Sequence, residues 1–409
     1  MYILYFGIIL ITGYLLSVAS EKIGFPKIVG YLIAGLLLNP NIFSVIPNDF
    51  LEITDTVTSF CLAFITFEIG SSFSIKELKK TGRKLFSLAF SEAFGAFVLI
   101  FVAFLLISLY ILPLLALGVS TAVAFSLIIA SLGAPTDPTA TLAVIHEYKA
   151  KGPVSKAILG AAAFDDIITL ILFSFSISIS QSILGNEELS VFHIFYSISY
   201  KIIGAVITGL VIGFLLNKAT GILKITKNKS LLVIFLASLS LTYGLAIFLG
   251  FDELFSTLTL GFVIRNYNKV DEKIVDITEN GIEELIFLLF FVFSAMNFNT
   301  NSITGVIILL IIVFILIRLT GKFLGMKIGT SLLKMSPNVK KYAFAGLIPQ
   351  GGIVLGLSLL ISQQAIFKDF SNLLIGIIMG ATIIHEFTGP FISKYVLKKT
   401  KEIEIKKKN

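Results

Sequence analysis

Apolar runs follow one another along almost the entire chain and are separated by short polar segments. A helix needs about 20 apolar residues to cross the hydrocarbon core of a bilayer, and most of these runs approach or exceed that length. The pattern therefore predicts an all-α polytopic membrane protein with about 13 transmembrane helices. The predicted spans are 3–20, 27–39, 54–72, 84–111, 115–145, 155–182, 191–217, 230–249, 252–266, 281–297, 302–330, 340–362 and 370–396.

Composition supports a membrane protein and excludes several other classes. Hydrophobic residues make up 56% of the 409 residues and charged residues only 14%, whereas soluble domains carry about 25% charged residues. The net charge of +7 is spread over short loops and a tail, so membrane lipid and not nucleic acid is the predicted partner. The single cysteine, Cys61, excludes an intramolecular disulfide framework.

Basic residues are concentrated in alternate loops, which predicts the orientation of the chain. The segments 76–84, 149–156 and 218–229 contain Lys and Arg, whereas 39–50, on the opposite side, contains none. Because positively charged loops stay in the cytoplasm, we expect a multi-pass protein of the cell membrane with its N-terminus outside and its C-terminus cytoplasmic. The short basic tail, 401–409, is expected to hold the C-terminus at the cytoplasmic face.

Two short patterns recur in the second half of the chain. The segment 23–35 is echoed at 249–261, and the region 64–73 is echoed at 289–299. The first copy and its echo lie an odd number of predicted spans apart, so they enter the membrane in opposite directions. Inverted-topology repeats are the signature of secondary transporters, whose substrate sites lie near the bilayer midplane between the repeats. The repeats therefore predict a transporter.

Two adjacent carboxylates, Asp165 and Asp166, lie near the middle of the apolar run 158–179. A charged side chain at the centre of a membrane helix costs about 2.5–3.5 kcal/mol even on insertion-derived scales. The alternative is a structural pair that basic neighbours neutralise inside the bundle. We favour ion and proton binding, because intramembrane acids mark ion pathways and proton relays.

Helix-breaking residues interrupt two of the apolar runs. Proline removes an amide donor and clashes with the preceding turn, so the helices should unwind within 131–144 and 346–357. Unwound carbonyls and half-helix ends suit a small cation, although a lone proline can also produce a kink without a ligand. The breaking residues and their neighbours are Pro135, Thr136, Asp137 and Pro138 in the first run and Pro349, Gln350, Gly351 and Gly352 in the second.

A third element of the pattern is basic. Arg318 and Lys322 are four residues apart and share one helix face within the span 302–330. One of them should neutralise an acid, whereas the alternative is that they snorkel to the cytoplasmic interface. Glu92 is the other intramembrane acid, in the span 84–111. On charge balance we predict a structural pair between Arg318 and Glu92.

The three histidines add little to this picture. His146 and His193 are interpreted as interfacial or loop residues. His385, beside Glu386 in the last span, is interpreted as part of a helix-packing or interfacial pair and not as a pH sensor. The sequence contains no Cys/His metal spacing, phosphate loop or Ser/His/Asp arrangement.

These motifs resemble the monovalent cation/proton antiporter family. The resemblance covers essentially the whole sequence and is carried by FPKIVGYLIAGLLLNP, FEIGSSFSIKELKKTGRK, TDP, AFDDI, RLTGKFLG and GLIPQGGIVLGLS. The paired aspartates resemble the electrogenic sodium/proton exchangers of the NapA and NhaA type, because the electroneutral branch carries Asn at the first position. The resemblance implies inverted-topology repeats and two broken helices that cross at the midplane.

The resemblance also implies roles for individual residues. Asp166 would be the cation- and proton-binding carboxylate, and therefore the Na⁺ ligand. Asp165 would be its neighbour, paired with a basic residue in the membrane. The GKFLG segment points to Lys322 as that partner, and Arg318 stays the alternative.

Thr136 and Asp137 match the crossing point of the broken helices and join the predicted ion- and proton-binding set. The resemblance further implies a homodimer, no cofactor beyond the transported Na⁺ and H⁺, and no nucleotide partner. The implied organisation is a sodium/proton exchanger transmembrane domain at 1–400 with a scaffold (about 1–75 and 230–297), an ion-transport core (about 84–182 and 302–397) and a linker helix (about 191–217), followed by the tail at 401–409.

The predicted function is secondary active transport. H⁺ and a dehydrated Na⁺ (or Li⁺) would compete for Asp166, so that binding of one ion excludes the other. Alternating access at a midplane site would turn this competition into exchange, and net charge movement would make the exchange electrogenic. A K⁺/H⁺ antiporter or a cation uniporter is the alternative.

A more distant alternative is an intramembrane aspartyl protease, which needs two facing aspartates that share a proton. Adjacent residues on a helix diverge by about 100°, so Asp165 and Asp166 cannot form a facing dyad together, although Asp137 and Asp166 could. The inverted repeats and the membrane lysine argue against proteolysis, and we do not expect an enzyme.

Overall fold

The computed structural model is helical throughout, with no β-strand among the residues that it describes. Those residues are 2–23, 25, 27–43, 45–72, 74–111, 118–137, 141, 145, 150–185, 191–222, 228–267, 273–274, 277–278, 281–297, 305–350 and 352–403.

Long helices alternate with a few short ones along the chain. Short 3₁₀ turns lie at Asn48–Phe50, Ala343–Leu347 and Ala365–Phe367. The α-helices are α1 (Tyr2–Lys22), α2 (Lys27–Leu38), α3 (Leu51–Ser71), α4 (Ile75–Tyr110), α5 (Val119–Leu132), α6 (Pro153–Leu184), α7 (Val191–Ile222), α8 (Asn228–Leu249), α9 (Glu253–Tyr267), α10 (Glu283–Met296), α11 (Gly305–Leu332), α12 (Pro337–Tyr342), α13 (Gly352–Gln363) and α14 (Lys368–Lys399).

Every predicted span has a helical counterpart, which confirms the prediction of an all-α polytopic membrane fold. In the described part of the chain, seven helices contain a stretch long and apolar enough to cross a membrane, namely α1, α4, α6, α7, α8, α11 and α14. The helices α2, α5 and α13 are apolar but shorter. The fifth and twelfth predicted spans are interrupted, as expected. Pro138 and Gly351, two of the predicted breaking residues, lie outside the described residues.

The helix α11 shows how lipid-facing and interior positions are divided. Its apolar residues Val306, Leu309 and Leu316 are each more than half exposed, as expected for side chains that face lipid. Arg318 and Lys322 lie on the other face and are completely buried. The alternative that these basic side chains snorkel to the interface is therefore wrong.

The helices are organised in two compact units. One consists of Met1–Pro47, Arg83–Glu187 and Ser294–Asn409, and the other consists of Asn48–Gly82 and Glu188–Phe293. The first unit contains both interrupted helices and the adjacent aspartates of α6. The division into scaffold, core and linker helix stays a prediction.

In the second unit, α9 packs closely against α3. A Cβ atom at Gly261 would lie only 2.1 Å from a backbone oxygen of α3, so a larger residue would separate the helices. The hydroxyls of Thr66 and Thr257 hydrogen-bond between these helices at 2.6 Å. Small residues and hydroxyl pairs of this kind are typical of helix interfaces in membranes.

Candidate functional site

Two interrupted helices meet in the first unit, at a place that we call the helix crossing (residues 133–137 and 348–350). The helix α5 ends at Leu132, and a non-helical segment continues to Asp137. The second segment lies between the 3₁₀ turn that ends at Leu347 and the start of α13. The backbone N–H of Asp137 donates a hydrogen bond to the carbonyl of Pro349 at 3.0 Å. The two segments are therefore in direct contact, as the sequence predicted.

Arg318 joins both segments of the helix crossing. Its Nε donates to the carbonyl of Gly133 at 2.9 Å, Nη2 to Pro135 at 2.6 Å and Nη1 to Ile348 at 2.6 Å. An interrupted helix leaves carbonyls without intrahelical donors, and these would be costly to bury unbonded. Arg318 therefore satisfies the backbone of the helix crossing with a single side chain.

Glu92 pairs with Lys322, so the predicted Arg318–Glu92 pair is wrong. Lys322 Nζ donates to Glu92 Oε1, and both side chains are fully buried. The same Nζ donates to the carbonyl of Ala134 at 2.8 Å and to Thr136 Oγ1 at 2.8 Å. These bonds use the three donors of an ammonium group. The Arg318 guanidinium donates to backbone carbonyls and is not available to Glu92. Lys322 therefore neutralises this carboxylate.

Small residues allow Glu92 and Lys322 to meet, because they bring α4 and α11 into backbone contact. A Cβ atom at Gly321 would lie 2.7 Å from the Cα of Ala96, and one at Gly325 would lie 2.3 Å from a backbone oxygen of α4. Close approach through small residues is a common way for membrane helices to pack. The sequence GKFLG thus supplies both the buried ammonium group and the space that it needs.

The adjacent aspartates of α6 have different surroundings. Asp165 is completely buried, accepts a 2.5 Å hydrogen bond from Thr136 Oγ1 and lies 3.6 Å from Lys322 Nζ. Asp166 is partly accessible, and no hydrogen bond or ion pair to it is found among the described residues. The charges that act on Asp166 are those of Asp165, Asp137 and Lys322. One aspartate is therefore built into the polar network, and the other has no hydrogen-bond partner among the described residues.

The structure thus brings most of the predicted site residues together. Lys322, and not Arg318, is the basic neighbour of Asp165. Thr136 links Lys322 to Asp165 through its hydroxyl, which accepts from the ammonium group and donates to the carboxylate. Asp137 is buried at the helix crossing.

Sequence reasoning missed part of the polar interior on α14. His385 and Glu386 are buried, so of the two interpretations, a helix-packing pair or an interfacial pair, the interfacial one is wrong. The ring Nδ1 of His385 lies 3.0 Å from Gln350 Oε1, and Gln350 Nε2 donates to the carbonyl of Leu132 at 2.7 Å. The available signal was the position of two ionisable residues well inside the last apolar span.

The last described residues of the chain contact the start of α6. The carboxylate of Glu402 accepts hydrogen bonds from the backbone N–H groups of Val154 at 2.7 Å and Ser155 at 2.8 Å. Ile403, which follows it, is buried against Ile145 and Leu397. A carboxylate at a helix N-terminus satisfies unpaired donors and interacts favourably with the helix dipole. Glu402 therefore caps the helix that carries the aspartates.

This cap yields a stability prediction. Replacement of Glu402 by Ala should lower the stability of the protein by about 1 kcal/mol, the usual loss for a helix N-cap. The measurement is the melting temperature in detergent, with the exposed Lys399→Ala as the control near the same end of the chain. An unchanged melting temperature for Glu402→Ala would contradict the capping role.

The contacts of Arg318 yield a second prediction. An Arg318→Lys variant keeps the charge but loses the planar group that reaches three carbonyls, so we expect a loss of about 2–3 kcal/mol of stability. Thermal unfolding in detergent measures the loss. The control is Lys327→Ala, at an exposed position on the same helix. Equal melting temperatures for Arg318→Lys and the parent would show that these hydrogen bonds contribute little.

Comparison with known proteins agrees with this architecture. The family model described as "Sodium/hydrogen exchanger, transmembrane" matches residues 7–395. The chain is 25% identical over 412 residues to the "Na(+)/H(+) antiporter" of Enterococcus hirae, with 96% of this chain and 97% of that protein covered. It is 24% identical over 319 residues to the "Cation/H(+) antiporter 17" of Arabidopsis thaliana, which covers 74% of this chain. The chain spans only 37% of the length of that plant protein.

A solved structure has the same fold. The sodium proton antiporter MjNhaP1 from Methanocaldococcus jannaschii, determined at pH 8, superposes with a TM-score of 0.77. The match covers 98% of each chain at 19% sequence identity. At this identity the likeness establishes the shared fold.

Proposed function

The chain belongs to the sodium/hydrogen exchanger family, and from this premise we propose that it exchanges Na⁺ (or Li⁺) for H⁺ across the membrane at Asp166. The observation that carries the proposal is the difference between the adjacent aspartates. Asp165 is held by Thr136 and lies close to Lys322. Asp166 faces the same region, is partly accessible and has no protein partner among the described residues.

Competition at Asp166 couples the two ions. A proton on the carboxylate removes the negative charge that a cation needs, and a bound cation blocks protonation. Each time the site changes from one side of the membrane to the other, it therefore carries either a cation or a proton. The inverted repeats predicted from the sequence suit alternating access to a midplane site of this kind.

The proposal includes electrogenic exchange. The polar network contains Glu92, Asp165 and Lys322 in direct or near contact, so its net charge changes when any one of them gains or loses a proton. If the cation-loaded and the protonated forms of the network carry different net charges as they move, the transport cycle moves charge across the membrane. The membrane potential then contributes about 2.3 kcal/mol per charge per 100 mV. The resemblance of the paired aspartates to electrogenic exchangers supports this part of the proposal.

The test is dissipation of an imposed pH gradient in proteoliposomes after addition of Na⁺, with Li⁺ and K⁺ in parallel. We expect Na⁺ and Li⁺ to drive proton movement. For an electrogenic exchanger, we also expect the rate of proton movement to depend on the membrane potential, which K⁺ and valinomycin set. Proton movement that no cation drives at any pH would contradict the proposal. A rate independent of the potential would contradict only electrogenicity.

Two other transport functions are outcomes of the same assay. K⁺-driven proton movement that exceeds the Na⁺ response would establish a K⁺/H⁺ antiporter, and the plant relative, a cation/H⁺ antiporter by name, keeps this alternative open. Cation flux that needs no proton gradient and no counter-ion would establish a uniporter. Intramembrane proteolysis is not supported, because the family is one of transporters.

The membrane placement also belongs to the proposal. The protein is a membrane protein with several membrane-spanning helices, and we place it in the cell membrane with the N-terminus outside and the C-terminus in the cytoplasm. The basic loops predicted to be cytoplasmic support this orientation. We also propose a homodimer, on the family resemblance of the sequence. Cysteine labelling of loop positions from each side of the membrane and cross-linking in membranes test the orientation and the dimer.

A further inference from the structure

One turn of α14 carries buried polar atoms that have no hydrogen-bond partner among the described residues. We call it the polar turn (Thr382–Glu386). Its atoms without a partner are Thr382 Oγ1, His385 Nε2 and both carboxylate oxygens of Glu386. The three side chains are at most 1% exposed. Because buried polar groups are nearly always hydrogen-bonded, such a concentration within one helical turn points to a ligand.

The polar turn faces the helix crossing. His385 Nδ1 contacts Gln350 Oε1 at 3.0 Å. One turn further along α14, a Cβ atom at Gly389 would lie 2.5 Å from Pro349 Cγ, so the helix backbone packs directly on the second crossing segment. Glu386 lies between these two contacts. The charges that act most strongly on its carboxylate are those of Asp137 and Arg318.

The unpartnered atoms share one chemical property, which is that they can all act as acceptors. Gln350 Nε2 donates to the carbonyl of Leu132, so the oxygen of the amide is the atom that faces His385. In the neutral imidazole, Nδ1 is then the donor to that oxygen, and Nε2 is left as an acceptor. Together with the carboxylate of Glu386 and the hydroxyl oxygen of Thr382, the polar turn therefore holds several buried atoms that can accept but receive no hydrogen bond among the described residues. Acceptors without donors suit a cation.

The basic residue in this region does not pair with Glu386. Arg318 directs its Nε, Nη1 and Nη2 at three backbone carbonyls, and no hydrogen bond or ion pair joins it to Glu386. The nearby guanidinium reduces the local excess of negative charge but leaves the carboxylate oxygens available. Carboxylate and hydroxyl oxygens are the kind of ligand that a hard cation takes.

We propose that Glu386 and Thr382 form a second binding position for the transported monovalent cation, on the α14 side of the helix crossing. The inference rests on the proposed function, since it assigns a further ligand set to the same ion. Asp166 on α6 and Glu386 on α14 then offer the cation two carboxylates, with Asp137 electrostatically coupled to both.

The test is equilibrium binding of radiolabelled Na⁺ to the purified full-length protein in detergent at one alkaline pH. The variants are Asp166→Asn, Glu386→Gln and the combination of the two. We expect Asp166→Asn to keep a saturable Na⁺-binding component, and we expect the added Glu386→Gln to weaken that component by about tenfold or more, because a charged ligand becomes neutral. The control on the same helix is Thr388→Val, whose hydroxyl bonds only the backbone of α14.

The outcomes separate the second binding position from the proposed function. Loss of all saturable Na⁺ binding in Asp166→Asn, or equal binding by Asp166→Asn and the combined variant, would overturn the second position. A parent protein without saturable Na⁺ binding would overturn it as well. Failure of the proposed function is seen in a different assay, as the absence of cation-driven proton movement by the parent in proteoliposomes.

A second variant covers the case in which Glu386→Gln does not fold. Thr382→Val, made in the Asp166→Asn protein, removes a neutral ligand and keeps the shape of the side chain. We expect about threefold weaker Na⁺ binding, together with a smaller rise of the melting temperature on addition of Na⁺. Unchanged binding and an unchanged Na⁺-dependent rise would overturn the proposal.

Discussion

An Asp166→Asn variant is expected to reach the membrane and fold but to lose Na⁺-driven proton movement. Asn is close to Asp in size, so packing around α6 should be preserved. The amide carries no charge and takes up no proton near neutral pH, so it can neither attract a cation nor alternate between the two ions. We expect the exchange rate to fall by about 100-fold or more, to the level of empty liposomes.

The measurement is pH-gradient dissipation in proteoliposomes at matched protein content. Asp369→Asn provides the control, because Asp369 is an exposed acid at the start of α14, away from the network of α6. Size-exclusion profiles and melting temperatures of both variants would establish that any loss concerns the site. Full exchange by Asp166→Asn would place the ion elsewhere and remove the central argument for its role.

A Lys322→Gln variant is expected to be among the least stable single substitutions in the protein. Glu92 would be left buried without its cationic partner, and removal of one member of a buried ion pair costs about 3–5 kcal/mol. The combined variant Glu92→Gln/Lys322→Gln should recover part of this loss, since Glu92 is then uncharged while Asp165 still lacks its cationic neighbour. The melting temperature in detergent of the parent, the single variants and the combination measures the coupling.

The pH dependence makes this prediction sharper. The instability of Lys322→Gln should shrink as the pH falls, because a protonated Glu92 no longer needs a cation beside it. The combined variant should show a smaller pH effect, because Asp165 is then the carboxylate that lacks its cationic neighbour. If Lys322→Gln melts at the temperature of the parent, or if the combination is no more stable than Lys322→Gln alone, then the contact between Glu92 and Lys322 does not contribute in the way that its geometry implies.

The sequence predicted those features that are encoded within single helices. Apolar runs located the spans, and the adjacent Asp165 and Asp166 were recognisable because ionised groups are rare inside apolar runs. The prolines located the interruptions, because a proline changes the backbone wherever it stands. These signals are local, and a bundle of any arrangement would retain them.

Contacts between distant helices could not be predicted in this way. Charge balance required a basic partner for Glu92 and led to the wrong choice of Arg318, because charge alone does not distinguish Arg318 from Lys322 on the same helix face. The choice depends on Gly321 and Gly325, which bring α11 against α4, and on carbonyls that only the helix crossing presents to Arg318. The position of Glu386 inside an apolar span was visible in the sequence, but its neighbours were not, since they come from other parts of the chain.

The cap formed by Glu402 has a practical consequence for experiments. The helix α6, which carries the aspartates, begins at the residues that Glu402 caps, so the last described residues of the chain are attached to the start of that helix. An affinity tag or fluorescent protein fused directly after residue 400 would remove Glu402 and Ile403 and would loosen the start of that helix. Fusions that begin beyond Ile403 keep the cap, and a comparison of the two designs would report how far a disturbance at the start of α6 reaches toward Asp165 and Asp166.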